Sequence, residues 1–166
     1  MKFISYNCRG FASPPKKLAL RRLLTSNQLD IIFLQETLCS ADALIPTLNS
    51  WLPNWTFHAL DTFGRSGGIA IGLCNKTMEL RNIWGGRGYI GVDIYAPTLE
   101  SEVRIMNVYG PCVDRENFWR TLPDSEFLQA DKIILGGDLN FSLGFSESWG
   151  HSAQVDGLSD TIYIFY

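Results

Sequence analysis

The residues of this sequence best suited to chemistry are polar side chains that follow short apolar or alternating runs, where strands are expected to end. They are Asn7, Glu36, Asn107, Tyr109, Asp138 and Asn140. A strand that serves only the core does not need such residues at its end. Because ligands gather where several strand ends meet on a rigid scaffold, we expect these side chains to share one site.

The types of these residues favour phosphate chemistry assisted by a metal ion. Asp and Glu are hard oxygen donors, which suit Mg²⁺ better than softer metals. Asn and Tyr can donate hydrogen bonds to the non-bridging oxygens of a phosphate, whose charge grows towards the transition state. A Mg²⁺ ion held by Glu36 would act as a Lewis acid, and Asp138 would position or activate the attacking water.

The segment Gly136-Gly137-Asp138-Leu139-Asn140 admits two interpretations. If the extended conformation of the preceding apolar run persists, the spacing of two puts Asp138 and Asn140 on one face of a strand. The two glycines would then let a ligand or another backbone approach closely. Alternatively, the segment is a plain turn, since Gly, Asp and Asn are the commonest turn residues.

The elements that must position these residues alternate at first between strand and helix. Residues 2–7 alternate as a strand does, and Pro14 and Pro15 suit the start of a helix. The continuous apolar run Ile31-Ile32-Phe33-Leu34 indicates a strand that is buried on both faces. A short helix is expected over Ala41–Leu48, although Pro46 opposes it.

The second half of the sequence is richer in strands. Turn-forming segments separate five further expected strands: Thr56–Leu60, Gly68–Leu73, Met78–Ile83, Tyr89–Tyr95 and Val103–Tyr109. A helix over Arg115–Leu122 then leads into a last strand at Ile133. The predicted class is therefore α/β, and two sheets stacked face to face and covered by helices would fit this order.

Composition indicates one globular domain over residues 1–166. The chain is 46% hydrophobic with a net charge of -3, and its length allows a sizeable core. The acidic balance argues against a dedicated nucleic-acid coat protein. A basic stretch nevertheless precedes the first acid, Asp30, and would either meet phosphates or form a solvated helix face. Its members are Lys2, Arg9, Lys16, Lys17, Arg21 and Arg22.

The cysteines suggest neither a zinc site nor a disulfide framework. Cys8, Cys39, Cys74 and Cys112 are widely spaced and include no Cys-x-x-Cys pair, so buried, reduced thiols are expected. No apolar run is long enough for a signal peptide or a membrane span. We expect an intracellular protein with no membrane partner.

Five segments in this order resemble the endonuclease/exonuclease/phosphatase superfamily. The closest resemblance is to the endonuclease domain of LINE-type (non-LTR) retrotransposons, especially those of plants, and it covers essentially the whole chain. The segments are Ser5-Tyr6-Asn7-Cys8-Arg9-Gly10, Phe33-Leu34-Gln35-Glu36-Thr37, Gly64-Arg65-Ser66-Gly67-Gly68, Asn107-Val108-Tyr109-Gly110-Pro111 and Gly136-Gly137-Asp138-Leu139-Asn140.

The resemblance implies a four-layer α/β/β/α sandwich of the DNase I-like type with the active site at one edge of the two sheets. Members cleave phosphodiester or phosphomonoester bonds with Mg²⁺ or Mn²⁺, and the LINE-type branch nicks target DNA, which would place the protein in the nucleus.

The resemblance also implies a role for each matching residue. Glu36 would hold the metal, with Asn7 beside it at the metal and the phosphate. Tyr109 would contact the phosphate or the transition state, and Asn107 would support it. Asp138 would orient or deprotonate the water, while Asn140 would hold the scissile phosphate.

The sequence departs from the family pattern after Asn140. The family's closing Ser-Asp-His motif and an additional aspartate are absent. His58 and His151 do not follow Ser-Asp, and Ser159-Asp160 precedes Thr161. We expect an N-terminal portion of the domain whose second sheet and active site are incomplete, with an uncovered apolar end at Ile162–Tyr166. Losing one member of a cooperating set can cost orders of magnitude in rate, so we expect weak or no activity.

Other functions remain open at this point. A phosphatase of the same superfamily would act on small phosphoesters such as inositol phosphates. A non-catalytic remnant would only bind nucleic acid or a partner, with a salt dependence set by the basic stretch. A structural protein without a metal is ranked last, because it would leave Glu36 and Asp138 without a common purpose. The sequence does not indicate an oligomeric state.

Overall fold

In a computed structural model of the chain, the structure describes residues 1–63, 66–122 and 129–142, together with Gly157. Eight strands form two four-stranded sheets within these ranges. The first sheet has the order β1-β2-β4-β3 and consists of β1 (Phe3–Asn7), β2 (Ile31–Gln35), β3 (Trp55–Phe63) and β4 (Ser66–Cys74). The second has the order β5-β6-β7-β8 and consists of β5 (Glu79–Gly86), β6 (Tyr89–Ala96), β7 (Ser101–Tyr109) and β8 (Ile133–Asp138).

Three α-helices and one 3₁₀ turn accompany the sheets in the described ranges: α1 (Pro14–Thr25), α2 (Ala41–Trp51), α3 (Arg115–Thr121) and the turn Pro97–Leu99. The first begins as predicted, with proline in its first turn, where a missing N–H costs no helix bond. The second helix continues through Pro46. This proline therefore does not end the helix, although it opposes helix formation. None of the described helices is long and apolar enough to cross a membrane.

The apolar run of β2 explains the layering. Ile31 and Phe33 pack in the core between the two sheets, whereas Ile32 and Leu34 pack among residues of α1 and α2 on the other face. All five residues of β2 are buried, which confirms the prediction of a strand covered on both faces. Since consecutive side chains of a strand point to opposite sides, one short run helps to build two cores.

The second sheet is covered on its outer face by the third helix. Trp119 and Leu122 form a separate cluster with Met106 and Val108 of β7. Helices thus flank the two stacked sheets, as in the predicted four-layer DNase I-like sandwich. Within the described residues the second sheet has four strands.

The parallel pairs determine where polar residues can meet. β1 pairs with β2 in parallel, and β7 pairs with β8 in parallel. β1 and β8 lie at the ends of their sheets and contact each other. Because parallel strands end at the same edge, the carboxyl ends of all four strands meet at one side of the sandwich.

The prediction of buried, reduced cysteines holds for only part of the set. Cys8 and Cys74 are buried, Cys39 is half-buried, and all four thiols are free. Cys112 is exposed, so the expectation of burial was wrong for this residue. It lies in the loop between β7 and α3, and the apolar pattern of the strand does not extend to it.

Candidate active site

The carboxyl ends of the two parallel pairs bring four of the predicted side chains together. Asn7 ends β1 and Glu36 follows β2, while Tyr109 and Asp138 end β7 and β8 and face each other in the ladder. The first two residues therefore come from one sheet and the other two from the other sheet. A single site across both sheets results from strands that are far apart in the sequence.

Asn7 links the carboxylates of the two sheets. Its Nδ2 donates to Oε1 of Glu36 at 2.8 Å and to Oδ2 of Asp138 at 2.6 Å. Its Oδ1 accepts the backbone N–H of Arg9 at 3.0 Å, which fixes the orientation of the amide. One carboxamide thus holds two like charges at a defined separation.

The loop that carries Glu36 has an unusual backbone. Glu36 has φ 48°, and Arg9 in the neighbouring loop has φ 45°, although side chains other than glycine rarely adopt this region. The N–H of Gly10 donates to the carbonyl of Glu36 at 2.8 Å, so the two loops hold each other. Such strained positions cluster at functional sites, where surrounding contacts over-determine them.

Tyr109 is poised as a hydrogen-bond donor. Its hydroxyl donates to Oε1 of Glu36 at 3.1 Å. Burial, followed by the negative charge of Glu36 and this hydrogen bond, raises the pKa of Tyr109 to about 12. The phenol is protonated at neutral pH, as an ordinary tyrosine is, and the raised pKa keeps its proton into the alkaline range, where it can still donate to an anionic oxygen.

Asp138 and Asn140 are not on one extended face, because the extended conformation on which that interpretation depended does not persist to Asn140. Asn140 has φ 53° and turns back so that its N–H approaches Oδ1 of Asp138 at 3.3 Å. Its Nδ2 donates to the carbonyl of Gly110 at 2.6 Å, and its own carbonyl accepts from Nη2 of Arg115 at 2.6 Å. The turn interpretation holds for the backbone, and the turn still brings both side chains to the cleft.

The glycine before Asp138 serves the close approach of a backbone. Gly137 has φ 137°, and a Cβ there would lie 1.8 Å from the carbonyl oxygen of Val108. No larger residue fits without moving β7 from β8. Of the two uses expected for the glycine pair, the approach of another backbone is therefore the one observed.

Asn107 lies beneath the site rather than in it. Its side chain is fully buried between the sheets. It accepts from Nε2 of Gln35 at 2.7 Å and donates to the carbonyls of Leu34 at 3.2 Å and Ala70 at 2.7 Å. Gln35 was not among the predicted site residues. The signal that could have found it is a carboxamide that ends an otherwise apolar strand.

A cleft of about 470 Å³ opens beside this group. Ser5, Asn7 and Gln35 line it from the first sheet, and Asp138, Asn140 and Phe141 are among the residues that line it from the second. Glu36 and Tyr109 are not among the residues that line this cleft; Glu36 bonds to Asn7, which does line it, and Tyr109 bonds to Glu36. The polar side of the cleft thus carries a carboxylate together with carboxamides.

The side-chain oxygens at this site are of the type that a hard divalent cation prefers, but few of them are carboxylates. Among the described residues no group of three or more His, Cys, Asp or Glu side chains comes together. Glu36 and Asp138 nevertheless offer carboxylate oxygens on either side of Asn7, and neither forms an ion pair within the described ranges. Uncompensated oxygen donors of this kind suit Mg²⁺ or Mn²⁺.

Neither histidine joins the group within the described residues. His58 lies in β3 opposite Ile71, away from the strand ends, and burial lowers its pKa. His151 and Ser159-Asp160 lie outside the residues that the structure describes. Two residues of the Gly64-Arg65-Ser66-Gly67-Gly68 segment, Gly64 and Arg65, also lie outside them.

Solved structures with the same fold include enzymes that act on phosphoesters. A 3′ phosphatase from Neisseria, bound to a product DNA hairpin, is 20% identical over 87% of this chain and 59% of its own, with a TM-score of 0.67. An AP endonuclease from Archaeoglobus fulgidus is 15% identical over 87% and 59%, with a TM-score of 0.64. A mannosyl-6-phosphatase from Bacteroides thetaiotaomicron is 12% identical over 84% and 65%, with a TM-score of 0.58.

At these identities the structural neighbours show the fold alone. The chain spans only about three fifths of the length of these proteins. None of the curated proteins compared with the chain is significantly similar to it in sequence. The model of the Endonuclease/Exonuclease/phosphatase family, however, matches residues 4–158. With that match covering most of the sequence, the chain belongs to the endonuclease/exonuclease/phosphatase family.

Proposed function

We propose that this chain is a divalent-metal-dependent phosphodiesterase domain that nicks DNA. The observation that carries the proposal is the pair of carboxylates, Glu36 and Asp138, which two different sheets supply and the amide of Asn7 joins. Neither carboxylate forms an ion pair within the described residues, and a metal-assisted reaction would give the two a common purpose. Enzymes of this family generally use divalent metal ions.

In the proposed site Glu36 would hold Mg²⁺ or Mn²⁺, with Asn7 beside it. When bound, the ion would supply Lewis-acid stabilisation of the charge on the phosphate. Within the described residues Oε2 of Glu36 has no hydrogen-bond partner, because Asn7 and Tyr109 both donate to Oε1. One oxygen of the carboxylate therefore remains for a ligand.

The remaining residues would handle the water and the phosphate. Asp138 would orient a water molecule and accept its proton as the water oxygen attacks phosphorus and the bond to the leaving ester oxygen breaks. Tyr109 and Asn140 would donate hydrogen bonds to phosphate oxygens. The amide of Asn140 has two N–H groups, and its bond to the carbonyl of Gly110 needs only one of them.

DNA is the favoured substrate for two reasons. The order of the five motifs resembles that of LINE-type endonucleases, and two of the compared structures are DNA enzymes by their descriptions, a DNA-bound 3′ phosphatase and an AP endonuclease. Action on genomic DNA would place the protein in the nucleus.

The second candidate is a phosphatase of small phosphoesters. The mannosyl-6-phosphatase with this fold favours it, since substrate choice in one fold depends on loops. A third possibility, a domain that binds nucleic acid without cleaving it, would use the basic residues of α1 and show strong salt dependence. Comparing hydrolysis of plain plasmid, abasic DNA and inositol phosphates separates the first two.

The test is nicking of supercoiled plasmid by the 166-residue chain. We expect conversion to the open circle with Mg²⁺ or Mn²⁺, none with EDTA, and none in Glu36→Gln. The matched control, Glu79→Gln, changes an exposed carboxylate on β5 and should nick like the wild type. Binding without cleavage under all conditions, or equal nicking in EDTA, would contradict the proposal.

A further inference from the structure

The core between the two sheets is interrupted by one buried polar link among the described residues. The other residues of this core are mostly aliphatic, such as Ile71, Val92 and Ile105. Gln35 is 1% exposed and Asn107 is 0% exposed, and their side chains meet at 2.7 Å. Buried carboxamides are tolerated only when their hydrogen bonds are made. The two side chains are therefore held in place by specific hydrogen bonds.

The link is fully satisfied on the side of Asn107. Its oxygen accepts from Gln35, and its nitrogen donates to the carbonyls of Leu34 and Ala70, which face each other in the β2–β4 ladder. A side chain of the second sheet is therefore hydrogen-bonded into the backbone of two strands of the first. Gln35 also contacts Ser5 Oγ at 3.1 Å.

The position of the link in the sequence ties it to the site. Gln35 immediately precedes Glu36, and Asn107 precedes Tyr109 by two residues, which places both on the same face of β7. The pair that they support, the Tyr109 hydroxyl and Glu36 Oε1, are 3.1 Å apart. A slip of one sheet along the other would change this distance directly.

Apolar contacts alone would not fix that register well. Burial of aliphatic surface is non-directional, whereas hydrogen bonds require defined distances and angles. Two buried carboxamides exchange water partners for protein partners and give little net stability. Because the link adds little stability and lies one residue from Glu36, we take its role to be the positioning of the two strand ends.

We propose that Gln35 is a positioning residue: through Asn107 it fixes the strand end that carries Glu36 relative to the one that carries Tyr109. The proposal rests on the proposed function only for its kinetic readout. It predicts that loss of the Gln35 bond, which orients the Asn107 carboxamide that donates to the carbonyls of Leu34 and Ala70, displaces the phenol from the carboxylate while the fold persists. A purely structural role predicts lower stability with an unchanged Tyr109 environment in the folded protein.

The first measurement does not depend on activity. The ring ¹³Cζ resonance of Tyr109, assigned as the signal lost in Tyr109→Phe, reports the hydrogen bond to Glu36 in folded protein. We expect this resonance to shift in Gln35→Met, which keeps the length of the side chain but cannot donate. It should stay in place in the control Ser5→Ala, which leaves the Gln35–Asn107 bond intact. An unshifted resonance in folded Gln35→Met would overturn the proposal.

If Gln35→Met does not fold, Gln35→Glu tests the same point with a side chain of the same shape. An ionised carboxylate cannot donate to Asn107 Oδ1, whereas a protonated one can. The Tyr109 resonance of Gln35→Glu should therefore be displaced from its wild-type position at neutral pH. A resonance that stays at the wild-type position in this variant would overturn the proposal.

The second measurement is kinetic. On nicking of plasmid, folded Gln35→Met should lower kcat about 10- to 100-fold, the size expected for a displacement on the order of 1 Å, with KM within about twofold. A wild-type kcat in this variant would overturn the proposal. If the wild-type chain does not nick at all, the proposed function fails, and the resonance measurement still decides the role of Gln35.

Discussion

The phenol of Tyr109 donates a 3.1 Å hydrogen bond to Oε1 of Glu36, although one residue ends a strand of the second sheet and the other follows a strand of the first. This contact closes the site across the gap between the sheets. Burial and the charge of Glu36 raise the pKa of Tyr109 from 10.0 to about 12. The donor is thus retained into the alkaline range.

This raised pKa predicts how stability depends on alkaline pH. The unfolded phenol loses its proton near its ordinary pKa of 10.0 and the folded one near 12, so between these values the folded state binds more protons. Stability is therefore present below the lower value and is lost as pH rises through the window. In Tyr109→Phe the urea midpoint should fall less steeply across it than in the wild type. Identical slopes in the two proteins would refute the coupling.

A second prediction concerns Gly137, whose Cβ would lie 1.8 Å from the oxygen of Val108. Gly137→Ala should reduce the free energy of unfolding by more than about 3 kcal/mol, because a strained backbone and a backbone clash combine. Gly136→Ala is the matched control on the same strand: its Cβ would meet a ring atom of Phe33 at 3.1 Å, a side-chain contact that is far less close than the backbone clash at Gly137. The prediction fails if urea unfolding gives equal losses.

Much of the fold could be predicted from local pattern, since the relevant signals lie within a few residues of one another. The run Ile31-Ile32-Phe33-Leu34 predicted a doubly covered strand, and the structure confirms it. Asn107 and Tyr109 were expected near the end of the strand Val103–Tyr109; both lie in β7, and both contact residues of the first half of the chain.

The features that could not be predicted depend on contacts between distant segments. Gln35 bonds Asn107 across 72 positions; the carboxamide at the end of an apolar strand marks Gln35 as unusual, but nothing near it in the sequence identifies its partner. The local sequence allowed Asn140 either to continue a strand or to lie in a turn. Gly110, from the segment between β7 and α3, and Arg115 of α3 hold it in a left-handed turn. Backbone strain at Glu36 likewise has no local signal, because the partner loop at Gly10 maintains it.

A third prediction concerns Arg115, which donates to the carbonyl of Asn140 at 2.6 Å. Arg115→Met removes this bond and should let the turn relax, lowering kcat for nicking by about tenfold through the position of Asn140. Arg120→Met on the same helix is the control, since that side chain is exposed in a long i,i+4 pair with Glu116. Equal nicking rates in the two variants would show that Arg115 does not position the turn.

The most direct test of the proposed site is whether Glu36 and Asp138 act as one catalytic unit. We predict that Glu36→Gln and Asp138→Asn each lower the Mg²⁺-dependent nicking rate about 10²- to 10⁴-fold, and that the double variant is no slower than the worse single one. Residues that cooperate in one reaction are not additive. Losses that multiply in the double variant, or single variants that nick at the wild-type rate, would contradict a shared active site.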